Sequence, residues 1–103
     1  MKGMNDLMRQ AQLMQNKLAK IQEEAGEREV EGTSGGGMVK IGCKGKLELT
    51  SVKIDKAVVN PEDVEMLEDL VLTAVNEALR QAREMMDREM SVITGGMKLP
   101  GMF

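Results

Sequence analysis

The hydrophobic residues near the start of the chain recur at alternating intervals of three and four residues. They are Met4, Leu7, Ala11, Met14, Leu18, Ile21 and Ala25. This heptad spacing forms one apolar seam and predicts a helix over residues 4–25, with Gly26 ending it in a left-handed conformation. The helix would be about 33 Å long, whereas a domain of this size has a radius of gyration of about 13 Å. We therefore expect the helix either to pair along its length or to project into solvent.

Residues 27–56 change to the two-residue period of β-strands. One side of the middle strand carries Val39, Ile41 and Cys43, and the other side carries Lys40 and Lys44. The preceding strand, over 27–33, has Val30 as its single large apolar residue, which is typical of a sheet edge. Ser34–Gly37 then forms a connection.

The third strand follows a hairpin turn predicted at Lys44–Gly45. Its apolar positions change from odd to even numbers, in the order Leu47, Leu49, Val52 and Ile54. A β-bulge at Thr50–Ser51 would produce this change, and so would a strand whose two faces are covered at different points.

A second helix is predicted over residues 61–90. Asn60 can cap its first amides, and Pro61 suits the first turn. Its apolar residues form a broad stripe, which is typical of a helix that packs on a sheet. The order helix, three strands, helix predicts a two-layer α+β domain with a three-stranded antiparallel sheet over residues 1–94. Residues 95–103 are expected to be a mobile tail, and a second copy would protect the sheet edges.

Composition limits the chemistry of this 103-residue chain. It has one Phe, no Trp or Tyr, and 11 Met, so aliphatic residues must form a thin core, which again favours a dimer. There is no His, and Cys43 stands alone in a strand pattern, which excludes a disulfide within the chain and the His-containing catalytic sites. We therefore predict no enzymatic activity, no cofactor, no metal and no small-molecule substrate. Without an apolar segment for secretion or membrane insertion, the expected location is cytoplasmic.

Two further clusters have structural interpretations. Gly32 and Gly37 have the spacing of a phosphate loop, but Met38 and Val39 stand where Lys and Ser or Thr are needed, and no helix follows. Glu62, Asp63 and Glu65 resemble a carboxylate site, yet acids at a helix start stabilise the helix dipole.

Charge is unevenly distributed along the chain. The net charge is −3, but residues 1–22 carry four cations against one anion, whereas residues 61–90 carry three arginines against nine acids. Lys2 and Arg9 lie at the positive end of the first helix, an arrangement that opposes its dipole. A polyanion bound along this helix would explain the charges, and so would an ordinary solvated polar face. The candidate DNA-binding residues are Lys2, Arg9, Lys17 and Lys20, with Arg80, Arg83 and Arg88 from the second helix.

Several segments, in this order, are typical of one protein family. They are Met8–Leu18, Gly35–Gly37, Ser51–Asp55, Pro61–Leu70 and Leu99–Phe103. Through them the whole chain resembles bacterial nucleoid-associated proteins of the YbaB/EbfC family, departing from the pattern mainly at the Lys44–Gly45 hairpin. The resemblance implies a homodimer with long projecting helices that binds double-stranded DNA with little sequence preference. It also implies a location at the nucleoid and effects on nucleoid organisation, gene expression or DNA repair.

A second hypothesis follows from the acidic net charge and the many methionines. In this alternative, the protein is a dimeric protein-interaction scaffold whose DNA binding is weak or indirect. Residues with aromatic rings, which stack on single-stranded bases, are almost absent, so any DNA contact is expected to involve duplex backbone and shape.

Overall fold

Along the chain, a long helix is followed by a three-stranded sheet and then by a second long helix. The computed structural model describes the backbone of residues 2–94 and the side chains of residues 3–91. The elements are α1 (Lys2–Glu27), β1 (Glu29–Ser34), β2 (Val39–Lys44), β3 (Leu49–Ile54) and α2 (Val64–Thr94), with short 3-10 turns at Gly35–Gly37 and Lys56–Val58. The predicted α+β class is confirmed, and the predicted tail at 95–103 lies outside the described residues.

The sheet is antiparallel, with β2 in the centre and β1 and β3 at its edges. The pairing of β2 with β3 shifts between Gly42, which lies opposite Ser51, and Cys43, which lies opposite Leu49. Thr50 is the extra residue on β3, so the predicted β-bulge is confirmed. The bulge brings Leu49, Val52 and Ile54 to one side of β3.

The core lies between the sheet and α2. Its fully buried residues are Val39, Ile41 and Cys43 of β2 and Ala74, Ala78 and Ala82 of α2. The alanines recur every four residues and let the helix backbone approach β1 and β2 closely. Burial also raises the pKa of the Cys43 thiol, because desolvation disfavours the thiolate, so this cysteine behaves as a small hydrophobic residue.

Helix α1 projects from this body. Ala25 and Gly26 are buried and Leu18 and Ile21 are half-buried, whereas residues 3–17 are exposed throughout. The molecule is correspondingly elongated, with extents of 75 × 20 × 17 Å. Of the two arrangements that the heptad seam allowed, projection is the one observed in the single chain. We call residues 3–20, of which Leu18 alone is half-buried, the arm.

The end of α1 differs from the sequence prediction. The helix continues through Gly26 to Glu27, and Gly26 does not have the left-handed backbone expected of a terminating glycine. The Gly26 carbonyl instead accepts the N–H of Lys46 at 3.1 Å, so the end of the helix is held against the β2–β3 hairpin. A Cβ at Gly26 would lie at an ordinary contact distance of 3.7 Å from the Lys46 Cβ, so this hydrogen bond, and not the missing side chain, marks the end of the helix.

The start of α2 also differs, by three residues. The Asp63 carboxylate accepts the N–H of Met66 at 3.2 Å, which makes Asp63 the N-cap. Asn60 accepts the N–H of Glu62 at 3.0 Å in a turn that precedes the helix. The N–H of Asp63 also donates to the Asn60 carbonyl at 2.9 Å, so residues 60–63 form a turn and the helix begins after it.

The hairpin between β2 and β3 spans residues 45–48. Leu47 has the positive φ, of 65°, and its N–H donates to the carbonyl of Lys44. Gly45 meets a different requirement, since a Cβ there would lie 2.2 Å from the carbonyl oxygen of Ala25. The predicted turn at Lys44–Gly45 is therefore displaced toward Leu47.

Candidate nucleic-acid interface

The cations of α1 lie on a helix that solvent surrounds. Lys2 begins the helix, but its side chain is outside the described set. Arg9 donates to Asp6 at 2.9 Å in an exposed ion pair, whereas Lys17 and Lys20 form no ion pair with any residue described in the structure. The last two lysines therefore keep their donors available for an external anion.

Helix α1 also lacks the terminal charges that usually stabilise a helix. Its first turn contains no acid, and its last turn contains no base. Cations near the start of a helix oppose the macrodipole and contribute nothing to helix stability. Their placement is consistent with a role in binding an anion.

The three arginines of α2 differ in their availability. Arg80 bonds to Glu77 at 2.6 Å and to Glu84 at 2.8 Å, and these carboxylates raise its pKa. Arg83 and Arg88 are exposed and have no ion-pair partner within the described residues. Arg80 is thus already neutralised locally, which leaves Arg83 and Arg88 as the available arginines of this set.

The structure places two of the predicted residues on different parts of the molecule. Arg9 lies on the projecting arm, whereas Arg80 lies between Ala78 and Ala82, on the part of α2 that packs over the sheet. Arg9 and Arg80 therefore do not belong to one patch.

Sequence reasoning missed two further cations. Lys40 and Lys53 lie opposite each other on β2 and β3, on the side of the sheet away from α2. The alternation of Lys40 with Val39 and Ile41 already placed Lys40 on that side, but its pairing with Lys53 depends on the register set by the bulge.

An ion-pair network holds the C-terminal end of α1, where the helix joins the body. Glu27 accepts bonds from Lys44 at 2.9 Å and from Lys46 at 2.8 Å. These two ammonium groups lower the pKa of Glu27 to about 2, since both stabilise its carboxylate. Arg28 also pairs with Glu89 of α2. The end of α1 is therefore tied to both the hairpin and α2.

A second exposed surface is apolar. Leu49, Val52 and Ile54 of β3 face the same side of the sheet as the buried residues of β2, yet they remain 38–56% exposed. Helix α2, on that same side, has an apolar groove of about 470 Å³ lined by Leu67, Glu68, Val71, Leu72 and Val75. We call these residues of β3 and α2 together the apolar face.

The described residues contain no group of three or more side chains arranged to hold a metal ion. Within residues 2–94, neither helix combines the length and the hydropathy required to cross a membrane.

Comparison with known proteins identifies the family of this chain. The chain is 57% identical over 101 residues to a nucleoid-associated protein of Moorella thermoacetica, covering 98% of this chain and 97% of that one. It is 48% identical over 101 residues to a nucleoid-associated protein of Pelotomaculum thermopropionicum, covering 98% and 96%. The fold resembles the crystal structure of an uncharacterized protein, HP0035, from Helicobacter pylori, with a TM-score of 0.67, 24% identity, and coverage of 86% and 91%.

The model of the YbaB/EbfC DNA-binding family matches residues 1–97, which include both helices, the whole sheet and all of the predicted DNA-binding residues. This match and the identity with curated nucleoid-associated proteins agree with the resemblance identified from the sequence. The chain therefore belongs to the YbaB/EbfC DNA-binding family.

Proposed function

We propose that the protein binds double-stranded DNA as a homodimer, mainly through phosphate contacts and with little sequence preference. At the nucleoid, it would thereby influence DNA organisation and gene expression or repair. The proposal is carried by one observation: an arm that projects from the body presents lysines with no described ion-pair partner. Lysine contacts to phosphate position a protein on a duplex but do not read its bases.

Helix α1 supplies the principal contacts in this proposal. Lys17 and Lys20 are three residues apart, so they lie on neighbouring parts of the helix surface. Arg9 and Lys2 extend the same helix toward its free end, and Arg83 and Arg88 of α2 supply secondary contacts. None of the described residues has an aromatic ring to stack on bases, which favours backbone binding.

The apolar face supports the homodimer. Leu72 is 60% exposed and Val52 is 56% exposed, and both lie on the side of the sheet that carries the core. Exposed apolar surface of this kind marks interaction sites in soluble proteins. A two-fold symmetric contact would bury the same residues of both copies and would add the core that an aromatic-poor chain of 103 residues lacks.

The test is a salt titration of DNA affinity. Labelled duplexes of unrelated sequence are titrated with the protein by fluorescence anisotropy at several salt concentrations. Each phosphate contact contributes about 0.9 to the slope of log affinity against log salt, and about fivefold in affinity at 0.15 M salt. Replacing Lys17 and Lys20 with Gln should therefore reduce affinity about 30-fold for each arm that engages the duplex, equally for all sequences.

The control replaces the same two lysines with Arg, which keeps the charge and should keep the binding. Unchanged affinity and slope in the Gln variant would refute the assignment of the contacts to the arm. If the unmodified protein fails to bind any duplex at 0.15 M salt below roughly 100 μM, the DNA-binding function itself is refuted, and the scaffold hypothesis is favoured instead.

A further inference from the structure

The side of the sheet opposite α2 is polar and open. Thr33 of β1, Lys40 of β2 and Lys53 of β3 form one row across it, since Lys40 is the register partner of both neighbours. All three side chains are exposed. This row lies near the end of the sheet that is distant from α1, because β2 runs from Val39 toward the hairpin that contacts Ala25.

The two lysines of this row form an uncompensated pair. Directly opposite residues of antiparallel strands have Cα atoms about 4.5–5.5 Å apart, and like charges at such positions destabilise a sheet. Neither Lys40 nor Lys53 has an ion-pair partner among the described residues, whereas Lys44 and Lys46 share the Glu27 carboxylate. The sheet therefore holds two ammonium groups together without a described counterion.

A concave surface lies beside the pair. It has a volume of about 240 Å³ and is lined by Gly37, Met38, Lys40, Lys53, Ile54 and Asp55. Gly37 adopts a positive φ of 92°, and the Cε of Lys40 lies 3.9 Å from the position that a Cβ would take there. The depression is large enough for a phosphate group, and both lysines line it.

Nearby carboxylates reduce the positive charge only in part. Asp55 lines the depression, but its carboxylate accepts the N–H of Ala57 at 2.8 Å and caps the following 3-10 turn. Glu29 accepts a bond from Thr50, and Glu31 lies two residue pairs toward the hairpin, opposite Gly42. The lysines are thus the available donors at this end of the face.

We propose that Lys40 and Lys53 clamp a backbone phosphate of duplex DNA, as a contact additional to the arm. This inference rests on the proposed DNA-binding function. A phosphate between the two ammonium groups would offset their mutual repulsion, and the Thr33 hydroxyl, in the same row, would supply a neutral donor to a neighbouring phosphate oxygen. The clamp also lies on the side of the sheet opposite the apolar face, so dimerisation through that face would leave it open.

The experiment compares two variants with equal changes in net charge. One replaces Lys40 and Lys53 with Gln, and the matched control replaces Lys56 and Arg80 with Gln, since neither of these residues lines the depression or holds the end of α1. Circular dichroism and sedimentation confirm the fold and the oligomeric state of each. Affinity for a 20-base-pair duplex of arbitrary sequence is measured at salt concentrations between about 0.05 and 0.3 M. The loss of each phosphate contact should reduce the slope of log affinity against log salt by about 0.9.

We expect the first variant to lose about fivefold in affinity at 0.15 M salt for each clamp that contacts the duplex, with a matching decrease in slope, and the control to lose less. In addition, the amide resonances of Gly37 and Lys53 should shift when the unmodified protein is titrated with the duplex. Equal losses in both variants would reveal a general charge effect and overturn the clamp, as would no loss in the first variant.

These experiments distinguish a failure of the clamp from a failure of the proposed DNA-binding function. If the unmodified protein binds DNA and the arm variant is weakened while the Lys40 and Lys53 variant is not, the clamp alone is wrong. If the unmodified protein binds no duplex, the proposed function fails together with the clamp.

Discussion

Replacing Gly32 with Ala tests the packing that positions both helices. Gly32 lies on β1 directly beneath α2, and a Cβ there would lie 2.2 Å from the amide nitrogen of Ala78 and 2.5 Å from the carbonyl oxygen of Ala74. Both atoms belong to the helix backbone, so no side-chain rotation can relieve the overlap. Because ordinary contacts of a Cβ begin near 3.4 Å, α2 must move away from the sheet by about 1 Å.

The cost follows from the two opposing effects of the substitution. Overpacking of a close-packed core costs about 1–3 kcal/mol, and a clash with backbone on several atoms belongs at the upper end of that range. Replacing Gly with Ala also restricts the unfolded chain, which returns about 0.4–1 kcal/mol. We expect a net loss of about 2 kcal/mol in the free energy of unfolding, or a decrease in Tm of about 8–16 °C for a domain of this size.

The assay is thermal and urea denaturation monitored by circular dichroism at one fixed protein concentration, since dimerisation would make Tm depend on concentration. The control is Gly3→Ala, because a Cβ at Gly3 on the exposed arm would meet no atom within 4 Å. A Gly32→Ala variant whose free energy of unfolding lies within about 0.5 kcal/mol of the unmodified protein would refute the close approach of α2 to β1.

Three further predictions concern the Glu27 ion pairs at the end of α1, the Asp63 cap of α2 and the apolar face. The carboxyl of Glu27 should titrate by NMR with a pKa of about 2, and Lys46→Met should move that pKa toward 4.5. Because the folded-state pKa is lowered, the stabilisation by Glu27 should be complete above pH 4.5, be lost as the pH falls toward 2, and decrease with added salt. Asp63→Ala should reduce the free energy of unfolding by about 1 kcal/mol in urea denaturation, whereas Asp63→Asn should change it little. Leu72→Lys should halve the mass measured by sedimentation equilibrium, and an unchanged mass would exclude Leu72 from the dimer contact.

The sequence by itself determined the order and type of the elements. The three-and-four spacing from Met4 to Ala25, the alternation around Ile41 and the broad stripe of the second helix each reflect a local geometric period. The change of inward positions along the third strand was visible too, and it allowed the bulge at Thr50 as one of two explanations, of which the register of β2 and β3 selects the bulge. These features depend on neighbours along the chain and are therefore readable from it.

The helix ends were predicted less accurately than the elements themselves. At the end of α1, the Gly26 carbonyl accepts the N–H of Lys46, a long-range contact that the local preference for Gly as a helix end does not include. At the start of α2, Asn60 and Asp63 are both good capping residues; Asn60 caps a turn and Asp63 caps the helix, so local preference alone did not separate them.

The candidate site divides in the same way. The sequence located the cations of α1 and the local excess of positive charge, because both are properties of consecutive residues. The pairing of Arg80 with Glu77 and Glu84 follows the three- and four-residue spacing of a single helix and is therefore also a local property. Tertiary structure decided that α1 projects from the body, which leaves Lys17 and Lys20 without a described ion-pair partner. It also placed Lys40 opposite Lys53, since cross-strand partners are set by register, hairpin and bulge together, and no single stretch of sequence contains all three.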